Sequence, residues 1–289
     1  MTDLILQALY SGILTGSSYA LIALGLALVF GTMRIINLAH GEMVLVAAYM
    51  AYTLENAYHV NPLLAIPLAV MMACLLSVIV NFLVDRIQHD RELNSLILTF
   101  GLGIMLTNAS QMIWKADIRS TKSAWLQDAI SFGSLYSMKS ELLFFVVSLV
   151  LVGGVAWWLR ASWYGRAVRA VSSNREAAKL MGINPQRTEL VSFLVSGFLA
   201  GFAGVAIYCN SVIQPALGGA LTVKAFIITV LAGMGSIVGV LIGALLIGIA
   251  EALTTTLASS ALQDLTGMLL FLLVLFVLPN GLFGTKRHG

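Results

Sequence analysis

Asn37, His40 and Glu42, with Gly41 between the last two, stand near the start of the second apolar run of the chain. Ionisable side chains inside lipid are costly and persist where a solute, an ion or a neighbouring helix needs them, so these residues are the first candidates for chemistry. Glu42 falls about seven residues into a run that begins near Ile35, roughly 10 Å from its inner end. His40 and Glu42 are two apart, so on a regular helix they point about 200° from each other and form no common site. Asn37, His40 and Gly41 share a face at i, i+3 and i+4. That face is a polar strip along a translocation path or a moving helix contact, or else interhelical hydrogen bonding that locks the bundle. Gly233, Gly235 and Ser236 form the other candidate stretch for a path or helix contact. Lys224 and Glu251 bracket that stretch with 26 uncharged residues between them. They read as snorkelling or interfacial groups rather than catalytic ones.

The motifs of common enzyme chemistry are absent. No GxxxxGK[ST] loop occurs, so the chain has no phosphate cradle of its own for ATP. The stretch Gly233-Met234-Gly235-Ser236-Ile237-Val238-Gly239 has one residue too many for GxGxxG and is apolar, which excludes a dinucleotide site. HExxH and GxSxG are missing, and the four histidines are scattered. Cys74 and Cys209 have no CxxC or Cys/His neighbours and read as small apolar residues. No catalytic, cofactor or metal site is expected in this chain, and it is not expected to be an enzyme.

The elements that position these residues follow from composition. The 289 residues are 59% hydrophobic and 10% charged, with mean hydropathy +0.94, where a soluble domain carries about 25% charged residues. The fold class is all-α, a polytopic membrane helical bundle forming one transmembrane domain over 1–289. The formal charge of +3 belongs to a few loops, and no basic stripe with interleaved aromatics points to nucleic acid. The N-terminal Met1-Thr2-Asp3 lacks a basic leader, and the first run is long enough to span, so it is expected to remain as a membrane helix.

Spans are expected at about 5–31, 35–54, 63–84, 95–114, 142–159, 185–209 and 262–278. With one broken or re-entrant segment near 224–251, its turn buried in protein, that makes about eight. Gly12, Gly16 and Ala20 recur every four residues, a pattern that lets helices approach closely, and Gly197, Gly201 and Gly204 do the same later. Alternation of sides puts the N-terminus outside, Arg34 inside, 55–61 outside, 85–94 inside, 115–141 outside and 160–189 inside. The tail Lys286, Arg287 and His288 then falls in the cytoplasm, as the positive-inside rule prefers. The loop 115–141 has nearly balanced charge, with Trp114 and Trp125 suited to an interface.

The cytoplasmic loop 160–189 is the long basic interval, with Arg160, Arg166, Arg169, Arg175, Lys179 and Arg187 against Glu176 and Glu189. Within it, Ser173 and Glu176 have capping-box spacing, Gly182 supplies a stop, and Asn184-Pro185 restarts a helix. A short helix is therefore expected over 174–181. So short a helix is marginal alone. Its Ala177, Leu180 and Met181 fall on one face, so it docks either on a partner or on its own membrane domain.

Three stretches resemble a known family. Glu176-Ala177-Ala178-Lys179-Leu180-Met181-Gly182 is similar to the EAA-xxx-Gly core of ABC importer permeases. Residues 25–31 and 36–42, Gly-Leu-Ala-Leu-Val-Phe-Gly and Ile-Asn-Leu-Ala-His-Gly-Glu, resemble the N-terminal signature of LivH-type branched-chain amino acid permeases. Gly233-Met234-Gly235-Ser236 through Gly243 and Glu251 resembles the same family's later glycine-rich segment. The longer EAA pattern continues to an Ile-x-Leu-Pro that this chain lacks, so nothing beyond Gly182 carries over.

The resemblance implies a permease subunit that moves leucine, isoleucine or valine inward across a bacterial or archaeal cytoplasmic membrane. It implies a second homologous permease, two ABC ATPase subunits that use ATP and Mg, and an extracytoplasmic substrate-binding protein. Arg175, Glu176, Ala177, Lys179, Leu180, Met181 and Gly182 would then form the coupling helix. Urea or short-chain amide permeases look similar, and a stand-alone ion-coupled carrier is the alternative from another class.

Overall fold

The computed structural model describes residues 1–87, 89–233, 235–278 and 281–283. Helix α1 is Thr2–Met33, α2 His40–Tyr58, α3 Ile66–Asp85 with a 3-10 turn before it, and α4 Arg91–Trp114. A connecting segment holds the single turn α5, Ala124–Gln127, and a hairpin of β1, Ala129–Phe132, and β2, Leu135–Met138. Then come α6 Lys139–Ala161, α7 Trp163–Ser173, α8 Arg175–Leu180, α9 Pro185–Asn210, α10 Leu217–Ala232, α11 Ile237–Leu257 and α12 Gln263–Val277. Among the described residues seven helices are long and apolar enough to cross a membrane, and α10 is a shorter apolar helix. The bundle is helical as expected; the hairpin adds a small strand pair to the 115–141 loop.

Small residues set the packing. A Cβ on Gly12 or Gly16 would meet the backbone of α11 at Ile249 and Ala244, and one on Gly248 would meet Gly16. These contacts let α1 and α11 approach with backbones nearly touching. Gly197 and Gly201 bring α9 onto α3 at Cys74 and Val70, and Gly204 brings it onto α2 at Ala47. Helix α1 is thereby buried over most of its length, with Leu21, Ala23 and Leu24 at the centre of the core. The outer helices α3, α4, α6 and α12 present large apolar side chains such as Met71, Met105, Val150 and Phe276 outward, as a lipid-facing surface does.

The ends of the bundle sort into two sets. Gln7 donates to the Tyr136 carbonyl at 2.8 Å, Thr121 to Glu55 at 3.0 Å, and Arg119 bridges Ile213, which gathers the N-terminus, 55–61, 115–141 and the end of α9. At the other end Ser172 donates to the Gly31 carbonyl at 2.5 Å, and Arg91 pairs with Glu189 at 2.9 Å. Gly281 to Phe283 lie by the end of α10, where the Leu282 and Phe283 amides reach Leu231 and Ala232, so they join this second set. Met234, Pro279, Asn280 and the tail Lys286, Arg287 and His288 lie outside the described residues.

Two expectations about helix continuity need correction. The second span is not one helix from Ile35. Arg34 turns out of α1 at φ 56°, the chain runs non-helically, and α2 starts only at His40. The break is buried in protein, with Ile35, Asn37 and Ala39 almost inaccessible, the setting in which irregular backbone is tolerated at membrane depth. The segment 224–251 is interrupted at its glycines as expected, but the turn is not wholly buried in protein. Helix α10 begins upstream of Lys224, so there is chain enough for two helices, α10 and α11. Gly233 and Gly235 take φ 88° and 96° in a turn at the end of the bundle, and Gly235 is exposed. The Lys224 charge failed to mark an end because it is neutralised inside the bundle.

Candidate coupling surface and intramembrane polar sites

The basic loop contains a helix that charge pattern concealed. Ser162 accepts from the Gly165 amide at 2.9 Å and starts α7, whose Ala167, Val168 and Val171 are buried. Arg166 and Arg169 donate to the last carbonyls of α6, at Ala161 and Leu159. The signal for α7 was the Ser162 cap followed by that apolar spacing. Ser173 is the final residue of α7, so it is not the cap of the next helix, and the Ser173–Glu176 capping box does not form. Asn174 holds that place, its side chain accepting from the Ala177 amide at 2.9 Å.

Helix α8 is shorter than the expected 174–181, and it closes on Gly182 at φ 82°. There the Ile183 amide reaches the Ala178 carbonyl at 3.1 Å and satisfies one of the last acceptors. Only Ala178 faces the protein, at 4% exposure. Leu180 and Met181 are 88% and 83% exposed, and Arg175, Glu176, Ala177, Lys179 and Gly182 are exposed with them. The helix therefore makes its apolar contact with its own domain through the Ala178 methyl group and turns its larger apolar face outward.

What holds α8 in place is Glu189, counted in sequence only as one of the loop's acids. Its side chain is 1% exposed in the first turns of α9 and pairs with Arg175 and Arg91, each at 2.9 Å. Arg91 also reaches Asp85 at 3.1 Å. One carboxylate thus ties the first residue of α8 to α9, to the first residue of α4 and to the end of α3. The bond to Glu189 raises the Arg175 pKa above its ordinary value.

The candidates nearer the middle of the bundle divide into two places. His40 Nε2 donates to the Ile22 carbonyl at 2.9 Å, which fixes the proton on that nitrogen, and Nδ1 faces Ser196 at 3.5 Å. Ile22 lies eleven residues before the end of α1, about 16 Å along its axis. Asn37 precedes α2 and shares no helix face with His40; it accepts from the Ala39 amide at 3.1 Å and shapes the start of the helix. The Gly41 amide donates to Thr222 at 2.8 Å on α10. Glu42, 4% exposed in the first turn of α2, lies against Gly218 in the first turn of α10, and its Oε2 has no partner among the described residues. The N-termini of both helices favour a carboxylate there. Gly235 and Ser236 lie elsewhere, beside Gly31, Arg169 and Ser172 around a cavity of about 70 Å³, while Gly233 ends α10 against Gly281. Ser236 caps α11 through the Gly239 amide at 3.0 Å.

Lys224 and Glu251, expected as snorkelling or interfacial groups, are tied to each other by an ion pair. They pair at 3.0 Å with 16% and 2% of their side chains exposed, and Tyr19 and Gln263 donate to the same carboxylate oxygen at 3.0 and 3.1 Å. The structure is thus a polytopic helical membrane bundle with an outward-turned helix on its basic loop and paired charges among its helices.

The chain belongs to the family described as branched-chain amino acid transport system / permease component, whose model matches residues 8–278. It is 30% identical to the high-affinity branched-chain amino acid transport system permease protein BraD of Pseudomonas aeruginosa, over 96% of this chain and 95% of the relative. The similarity to LivH of Escherichia coli K12 is the same, 30% over 96% and 95%. To LivM of that organism, another permease protein of a branched-chain amino acid system, it is 25% over 93% of this chain and 68% of the relative.

Proposed function

We propose that this chain is the permease subunit of an ATP-driven importer that moves leucine, isoleucine and valine into the cytoplasm. The observation that carries this reading is α8, held by Glu189 and offering Leu180 and Met181 to a partner. An exposed apolar face on a basic loop suits the groove of an ATPase subunit, and the permease names of the relatives support the substrate class.

In this reading a second, LivM-like permease completes the membrane pore, and two ATPase subunits that bind ATP and Mg sit below. An extracytoplasmic binding protein delivers the amino acid. The complex lies in the cytoplasmic membrane of a bacterium or archaeon. The N-terminus is outside, while 160–189 and the C-terminus are cytoplasmic, as the excess of arginine and lysine in that loop favours. ATP binding draws the ATPases together and displaces α8. Glu189 passes the displacement to α3, α4 and α9, and the pathway opens outward; hydrolysis resets it.

Purification of the complex from detergent-solubilised membranes tests this. The wild-type chain should bring down a second permease and the ATPases, and deletion of 174–181 should lose the ATPases alone. Purification of the wild-type chain by itself would overturn the assignment.

A further inference from the structure

Glu251 carries a feature that its pairing with Lys224 does not explain. Its Oε2 receives Tyr19, Lys224 and Gln263, while Oε1 is buried and has no hydrogen-bond partner among the described residues. Lys224 donates to Tyr19 and Glu251 at 3.2 and 3.0 Å and forms an ion pair with Asp264 at 3.2 Å. One ammonium therefore faces two carboxylates, and what remains vacant is an acceptor. The group that fits is a donor with one positive charge.

The space beside Oε1 is shaped as well as charged. Gly267 on α12 leaves it open, since a Cβ there would stand 3.2 Å from Oε1. A cavity of about 130 Å³ begins at Glu251 and is walled by Val223, Ile227, Ile247 and Met268. A dry apolar cavity of about 150 Å³ accepts benzene, so this one has room for a branched alkyl side chain. On the other flank of Glu251 a second cavity of about 240 Å³ runs toward the N-terminal end of α1 past Ser11, Thr15 and Thr255. An apolar pocket with a few convergent polar groups is the usual form of a small-molecule site.

We infer that Glu251 Oε1 receives the α-ammonium group of the transported amino acid while its branched side chain occupies the apolar cavity beside Gly267. The inference rests on the proposed import function and deepens it. The free carboxylate of the amino acid points toward the polar cavity, away from Lys224, whose charge is already shared between Glu251 and Asp264.

The test uses the importer assembled with its partner permease and ATPases in nanodiscs, without binding protein, and equilibrium binding of tritiated leucine. Two competitors each keep one end of leucine: 3-methylbutylamine has the ammonium, 4-methylpentanoate the carboxylate. The amine should displace leucine and the acid should not. Gly267→Ala, which favours the helix it sits in, and Glu251→Gln should each weaken leucine binding at least about tenfold.

Equal competition by the acid would overturn the inference. So would displacement by sodium in place of the amine, or wild-type binding in an assembled Gly267→Ala complex. If the wild-type complex with its binding protein imports leucine on ATP yet binds none without it, the site alone is wrong. If it imports no leucine, the proposed function falls and the site falls with it.

Discussion

Glu189→Ala should uncouple ATP hydrolysis from transport. Three charge-assisted bonds end on this carboxylate, two from Arg91 and the one from Arg175 that holds α8, and bonds of that kind contribute about 1.5–3 kcal/mol each. The arginines are partly solvated, with 43% of the Arg175 side chain and 23% of Arg91 exposed, so water recovers part of the loss. The net weakening of the link between α8 and the membrane helices should be about 2 kcal/mol, roughly a thirtyfold shift in the population with α8 held. In proteoliposomes with the full complex, ATP turnover should stay within about twofold of wild type while leucine uptake falls about tenfold or more, so the ATP used per leucine rises. Glu189→Gln keeps an acceptor without the charge and should fall between the two. An assembled Glu189→Ala complex with the wild-type ratio of ATP to leucine would refute the reasoning.

Further expectations follow from the same geometry. Leu180→Asp with Met181→Asp should abolish co-purification of the ATPases and leave the melting temperature of the isolated chain unchanged, because both positions are exposed. Asn174→Ala should cost about 1 kcal/mol of local stability, visible as faster amide exchange in α8, whereas Ser173→Ala should not. Gly12→Leu or Gly248→Leu should lower thermal stability in detergent by about 1–3 kcal/mol or more, since either forces α1 from α11. Gly153→Leu should be silent, as nothing lies within 4 Å of its Cβ position.

Much of the bundle was legible because lipid imposes a simple rule on sequence: long apolar runs mark helices, and glycines at intervals of four mark their contacts. Gly12 and Gly16 meeting α11 is that rule at work. What misled was charge. Lys224 was read as the edge of a span, but its partner Glu251 lies 27 residues on, and only tertiary structure brings the two to 3.0 Å. Glu189 was hidden for the same reason, since its partners Arg91 and Arg175 come from other helices. Residues 35–39 looked helical because they open a mostly apolar run; a sequence does not reveal that surrounding protein shields a broken backbone there. The exposed residues of α8 were legible because capping and glycine termination are local, although the cap proved to be Asn174 rather than Ser173.

In the proposed importer this chain conducts branched-chain amino acids only when ATPases drive it. Uptake of tritiated leucine by proteoliposomes containing both permeases, the ATPases and the binding protein measures this directly. Uptake should require enclosed ATP and should vanish when this chain or the ATPases are omitted. Uptake that persists without ATPases and follows a pH gradient or membrane potential would contradict the account.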